Sequence, residues 1–181
     1  MRVRELHEIL SAMAAQKDKV RDRRELLLDM AERIVKTVSQ EFSCKQDEVA
    51  ILLLSEDGRH LRFVAPRRFA DLGTIPVTKR DSIAVGVLSR RAGEVINNVP
   101  TVKHVSFFES IKLRDKPSPI QKMMSTPLVV REQPIGVAQI SRKGETAREA
   151  GADYTPADLR RAQEILDGVA HYLADARPPG Y

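Results

Sequence analysis

The order of periodicities along the chain predicts an α/β (α+β) fold, a mainly antiparallel sheet of five or six strands framed by helices from the two ends of the sequence. Three observations carry this. The first 43 residues hold no Gly or Pro and repeat apolar residues every seven positions, at Leu6, Met13, Val20, Leu27 and Ile34. Two pairs of β-rich runs, 48–65 and 122–142, are each joined by a short polar turn. A closing stripe, Leu159, Ala162, Ile165, Leu166, Val169 and Leu173, has the spacing of one helix face. With 181 residues, 42% of them hydrophobic, the chain can bury one ordinary core plus an appended element, with no room for a second full domain.

The first helical stretch has one good apolar seam and one poor one. Ile9 and Leu10 serve the second seam early, and Met30, Ala31 and Val38 serve it late, but Gln16, Lys17, Arg23 and Arg24 occupy its middle. A coiled coil needs both seams apolar. The pattern therefore predicts a long helix whose second half, Glu25 to Phe42, packs on the domain while its first half projects and self-associates. Two helices broken near Asp18 to Asp22 are the alternative. The expected boundaries are a helical extension over 1–24 with coiled-coil character, the domain proper over 25–176, and a disordered tail over 177–181.

After residues 43–47 the period changes. Glu48 to Ser55 is an apolar β run, Glu56-Asp57-Gly58-Arg59 is a hairpin turn whose glycine supplies a positive φ, and His60 to Ala65 alternates as the returning strand until Pro66. Ile75 to Thr78 reads as a short extended piece. Asp81 or Ser82 caps a short helix that leads into a short edge strand before Val99. Val102 to Ile111 is expected to hold a turn or two of helix, and Leu113 to Pro119 an irregular loop. Lys122 to Val130 and Pro134 to Arg142 form the last strand pair around Arg131-Glu132-Gln133, with Gly136 admitting a close neighbour, helix or backbone. Thr155-Pro156-Ala157-Asp158 carries an N-cap, a first-turn proline and a first-turn acid. The closing helix is expected to pair with the first.

Composition excludes several function classes. No window of about 18 uncharged apolar residues exists, which argues against a transmembrane helix. The charged start, Met1 to Glu5, lacks an apolar signal core and predicts a cytoplasmic protein. The net charge of +5 raises a nucleic-acid reading, but the basic pairs at 23–24, 67–68, 90–91 and 160–161 fall on different elements among acids, with no interleaved aromatics. A single cysteine, Cys44, leaves no thiol pair for a disulfide, a zinc site or a redox cycle. Glycine-rich phosphate loops, a nucleophile elbow and paired carboxylates are missing as well. No catalytic residue or metal site is assigned, and His7, His60, His104 and His171 have no metal-ligand spacing. Asp81 and Asp115 read as cap and turn residues.

Strand alternation places Val137, Gln139 and Ser141 on one face and Gly136, Ala138 and Ile140 on the other. The small Gly-Ala-Ile face is the one expected to receive helices. Gln139 then looks the opposite way with Met123 and Ser125, where a buried amide needs partners. It holds a loop or reads a ligand.

The stretch Ser82-Ile83-Ala84-Val85-Gly86-Val87-Leu88, followed by Met123 to Val130 and by Pro134 to Lys143, resembles the middle and end of a GAF domain. The resemblance extends from about Arg24 to Ala176. It implies a small-molecule sensor whose terminal helices share one sheet face and whose pocket, covered by loops and short helices, lies on the other. The pocket would be lined by Ile83, Ala84, His104, Phe107, Phe108, Ser125 and Gln139. The ligand is not identified, a cyclic nucleotide or another small effector being the class implied. Bilin attachment and free-methionine-sulfoxide reduction need pocket cysteines, and haem needs a placed axial ligand, so the residues argue against all three. The family's Asn-Lys, Phe, Asp-Glu pattern stands here as Arg142-Lys143, Tyr154 and Asp158-Leu159, from which Lys143 and Asp158 are expected to clamp the last strand to the last helix. The resemblance further implies a homodimer through the terminal helices and a separate signalling output protein, with no membrane or nucleic-acid partner. The alternative is a structural or protein-interaction module whose pocket has collapsed around Phe107, Phe108, Met123 and Met124.

Overall fold

The computed structural model describes residues 2–19, 22–71, 73–101 and 118–181. Two helices open the chain, α1 (Arg2–Ala14) and α2 (Arg23–Glu41). The strands β1 (Val49–Leu54), β2 (His60–Ala65) and β3 (Thr74–Pro76) follow, then helix α3 (Ile83–Arg90) and strand β4 (Glu94–Ile96). Strands β5 (Ile120–Val130) and β6 (Gln133–Lys143) lead to the closing helix α4 (Pro156–Ala176). The strands form one antiparallel sheet in the order β3-β2-β1-β6-β5-β4.

Local chemistry accounts for most element ends. The Asp22 carboxylate accepts from the main-chain N–H of Arg24 at 2.8 Å and of Glu25 at 3.2 Å, so α2 starts afresh there. Thr155 and Asp158 cap one another at the start of α4, with the Asp158 N–H donating to Thr155 Oγ1 at 3.1 Å and the Thr155 N–H to the Asp158 carboxylate at 2.7 Å. Between β5 and β6, Arg131 and Glu132 both hold positive φ, 49° and 65°, the geometry of a two-residue hairpin turn that follows strand twist. Gln133 belongs to β6 and not to the turn.

Alternation divides the sheet into two apolar layers. Ile51, Leu53, Met124, Leu128, Ala138 and Ile140 pack under α1, α2 and α4 as the main core. Ala50, Leu52, Leu61, Phe63 and Val137 face the other way, against Phe69, Ile75 and α3. The helices therefore lie on the face of Ala138 and Ile140, as the small residues there predict. Gly136 admits a strand backbone and not a helix, since a Cβ at this position would stand 2.1 Å from the carbonyl oxygen of Leu52 in β1.

Three expectations about the ends of the chain are corrected. The first 43 residues are not one long helix. The polar stretch 15–19 cannot serve either seam, and the Asp22 cap gives the following turn its own start, so the chain breaks between Ala14 and Arg23. Nor does the first helix project as an extension over 1–24. It folds back on α2 and α4, with Leu6 only 2% and Leu10 0% exposed in the main core and His7 set edge-on to Tyr172. Residues 177–181 are not a disordered tail either. Tyr181 is 9% exposed, and the N–H of Glu56 donates to its main-chain oxygen at 2.7 Å.

Candidate functional site

The face opposite the paired helices is built from the register of three strands. β5 and β6 place Ser125 opposite Gln139 and Met123 opposite Ser141, and β1 brings Ala50 beside Gln139. All point away from the helix layer because Ala138 and Ile140 point into it. The Gln139 side chain, 3% exposed, donates from Nε2 to Ser125 Oγ at 3.2 Å and to Met123 Sδ at 3.4 Å. Farther along, Ser141 Oγ donates to the Glu48 carbonyl at 2.9 Å, and Gln121 Nε2 donates to that of Gly144 at 2.8 Å. The result is a line of buried, uncharged polar groups on an otherwise apolar floor.

Helix α3 covers one side of this floor. Ser82 starts it, accepting from the Val85 N–H at 3.4 Å, and Ala84, Val85, Val87 and Leu88 then bury themselves against Val137 and Ala50. Ile83 packs against the same cluster and stays partly exposed. Of the residues expected to line a pocket, Ser125 and Gln139 touch, and Ile83 and Ala84 join the apolar layer beside them. His104, Phe107 and Phe108 lie outside the described residues, as do the helical turn expected over Val102 to Ile111 and most of the loop expected over Leu113 to Pro119. The chemistry on this floor is that of an amide, hydroxyls and a thioether, which exchanges hydrogen bonds and does not transfer protons. Among the described residues no group of three or more His, Cys, Asp or Glu is placed to hold a metal ion.

On the helix face the expected clamp between Lys143 and Asp158 is not formed. Lys143 Nζ donates to the carbonyl of Asp47 at 2.7 Å and to its carboxylate at 3.1 Å, whereas Asp158 spends its carboxylate on the cap at Thr155. Alternation explains the exchange, for Arg142 shares the face of Ile140 and Lys143 does not. The strand is held to the loop before α4 by other residues. The Arg142 guanidinium lies 4.7 Å from the ring centroid of Tyr154, and the Tyr154 hydroxyl donates to the Ser141 carbonyl at 3.2 Å. Lys122, 5% exposed, donates to the Gly151 carbonyl at 2.5 Å and pairs with Asp153 at 2.7 Å. Sequence reasoning missed Lys122 because a lysine beside a strand reads as solvated, and its partners lie in a loop with no local signal.

Electrostatics around Cys44 make it inert. Burial, reinforced by the nearby Glu48 carboxylate, pushes the thiol up to about 12. Burial also pushes the Tyr154 hydroxyl well above its usual range. Asp47 is raised by burial, but the Lys143 ammonium outweighs this and leaves the carboxyl below its ordinary value. A second concavity, roughly 340 Å³, lies at the β1–β2 hairpin between Ser55, Glu56, Asp57, Arg62, Gly180 and Tyr181. Nothing in the local sequence pattern points to it, because Pro178-Pro179-Gly180 reads as the end of order.

Comparison with known proteins agrees with this geometry. The GAF domain of a phosphoenolpyruvate-protein phosphotransferase from Acinetobacter superposes with a TM-score of 0.64 at 14% identity, over 96% of this chain and 95% of that one. The corresponding GAF domain from Coxiella burnetii gives 0.63 at 9% identity, over 97% and 96%. Residues 122 to 287 of a methyl-accepting chemotaxis protein give 0.61 at 18% identity, over 91% and 96%. Identities this low establish the fold alone. No curated protein matches the chain at a significant level. The GAF domain profile matches residues 26–174, most of the sequence and every strand of the sheet, and the chain belongs to the GAF domain family.

Proposed function

We propose that the chain is a signal-sensing module that binds a small molecule over the Gln139 face and relays its presence through the helices to a separate output protein. GAF domains are generally small-molecule sensing or regulatory modules of signalling proteins, and typically not catalytic ones. The observation that carries the proposal is the buried Gln139–Ser125 pair, a polar handle in an apolar layer on the face away from the paired helices. An uncharged amide and hydroxyl suit a neutral polar portion of a ligand, such as a base or an amide. A cytoplasmic location, and self-association through the helix layer as in a homodimer, are part of the same reading.

A second reading is favoured by one specific observation. The Gln139 amide already has internal partners in Ser125 and Met123, as in a module whose pocket has collapsed and whose helices dock another protein. Mass spectrometry under native and denaturing conditions, combined with chemical-shift titration using cyclic AMP and cyclic GMP, separates the two. A native mass above the denatured mass, or shifts clustered on Ala84, Ser125 and Gln139, supports sensing. Equal masses together with no shifts at those residues support the collapsed module.

A further inference from the structure

The segment that follows α4 returns to the sheet and is held there from both sides of one residue. The Glu56 N–H donates to the main-chain oxygen of Tyr181 at 2.7 Å, and the Glu56 carboxylate accepts from the Gly180 N–H at 2.7 Å. Gly180 has a φ of +72°, which turns the chain so that both bonds form at once. The Tyr181 ring packs against the main core with the Arg62 guanidinium 5.5 Å from its centroid, within cation–π range. One residue before the turn, Arg177 donates to the Ile135 carbonyl at 3.2 Å. The tip of the β1–β2 hairpin thus receives a glycine-aromatic segment much as a docking groove receives a peptide.

Two features mark this contact as held and yet loosely made. The Nε–H groups of Arg62 and Arg177 are buried without an acceptor, a standing cost of the docked arrangement. The roughly 340 Å³ concavity between the hairpin and the segment shows that the segment does not fill the groove it occupies. Few bonds and incomplete packing are the properties of a region that opens locally without global unfolding.

We propose that the tip of the β1–β2 hairpin is a docking surface for a glycine-aromatic segment, that the chain's own residues 178–181 occupy it, and that this contact is a releasable strap fixing the end of α4 to the sheet. Docking ties the last turn of α4 to strands β1 and β2, whereas release frees that end of the helix while the Thr155–Asp158 cap still holds its start. The inference does not rest on a ligand at the Gln139 face, so it can fail or hold independently of the proposed sensing role.

Amide hydrogen exchange on the full chain, compared with Tyr181→Ala, Tyr181→Phe and Glu56→Ala, tests it. The expected result for Tyr181→Ala is exchange about tenfold faster or more at the Glu56 amide and in the last turn of α4, with the start of α4 unchanged. Tyr181→Phe keeps the ring and retains protection at both places. Glu56 is exposed at a hairpin tip, so Glu56→Ala leaves the fold intact while removing the acceptor of Gly180, and it too should speed exchange in the last turn of α4. An unchanged Glu56 amide in Tyr181→Ala would overturn the docking. A last turn of α4 that keeps its protection in both alanine variants would overturn the strap.

Discussion

The side-chain amide of Asn97 pairs with the main chain of Tyr154 as though it were one more rung of the sheet, donating from Nδ2 to the carbonyl at 2.9 Å and accepting the N–H at Oδ1 at 2.9 Å. Through this pair the end of the short edge strand β4 sets the position of the residue on which Arg142 stacks. Tyr154 also immediately precedes the cap of α4. Asn97→Ala leaves two part-buried main-chain groups without partners and should cost about 1–3 kcal/mol, read by chemical denaturation. Asn97→Asp keeps the acceptor and loses the donor, so an intermediate loss is expected.

Gly136 is irreplaceable for a steric reason. A Cβ there would overlap the Leu52 carbonyl oxygen at 2.1 Å, and that oxygen belongs to the backbone of a paired central strand. Gly136→Ala should therefore cost about 3 kcal/mol or prevent folding. Gly58, with a φ of +69° and open space around it, provides the contrast, for Gly58→Ala meets backbone strain alone, about 1–2 kcal/mol. Equal losses for the two variants in urea titrations would contradict the close approach of β1 and β6.

Leu10 and Ile9 separate packing from surface on α1. Leu10 is fully buried and Ile9 is 36% exposed, one residue away. Leu10→Ala should lower stability by about 2–5 kcal/mol, and Ile9→Ala should stay within about 0.5 kcal/mol. Deleting residues 1–19 should then destabilise the domain itself, a result visible as a lower melting temperature in a sample kept at one concentration.

Cys44 should resist thiol reagents while the protein is folded and react normally once it is denatured, since the reactive species is the thiolate. Its folded value is raised from 9.0 to about 12, so the unfolded chain loses the proton first as pH rises. The stability held in this group is therefore fully present below pH 9 and declines between pH 9 and about 12. Cys44→Ser should leave folding at neutral pH intact and flatten that part of the alkaline decline, measured as melting temperature against pH. Rapid labelling of the folded protein at pH 8 would contradict this.

At the candidate site, Gln139→Leu should weaken a polar ligand seated on that face by about 1–3 kcal/mol. The same variant leaves Ser125 without its amide donor, so its melting curve must be measured beside the titration. Undiminished affinity in a folded variant would remove Gln139 from the site.

The sequence by itself determined what is encoded over a few residues. Asp57-Gly58 predicts the first hairpin, Thr155 to Asp158 the start of the last helix, and strand alternation sets Gln139 against the face of Ala138 and Ile140, because turn, cap and pleat each depend on neighbours in the chain. Tertiary structure alone decided the rest. Lys143 bonds to Asp47, 96 residues away, and leaves Asp158 to its own helix. Tyr181 joins a hairpin turn at Glu56, and Leu6 and Leu10 turn inward where a seven-residue recurrence reads as a seam for a second chain. A periodic apolar stripe specifies that a surface will be buried, and which surface covers it depends on where the remaining chain can place an equal one.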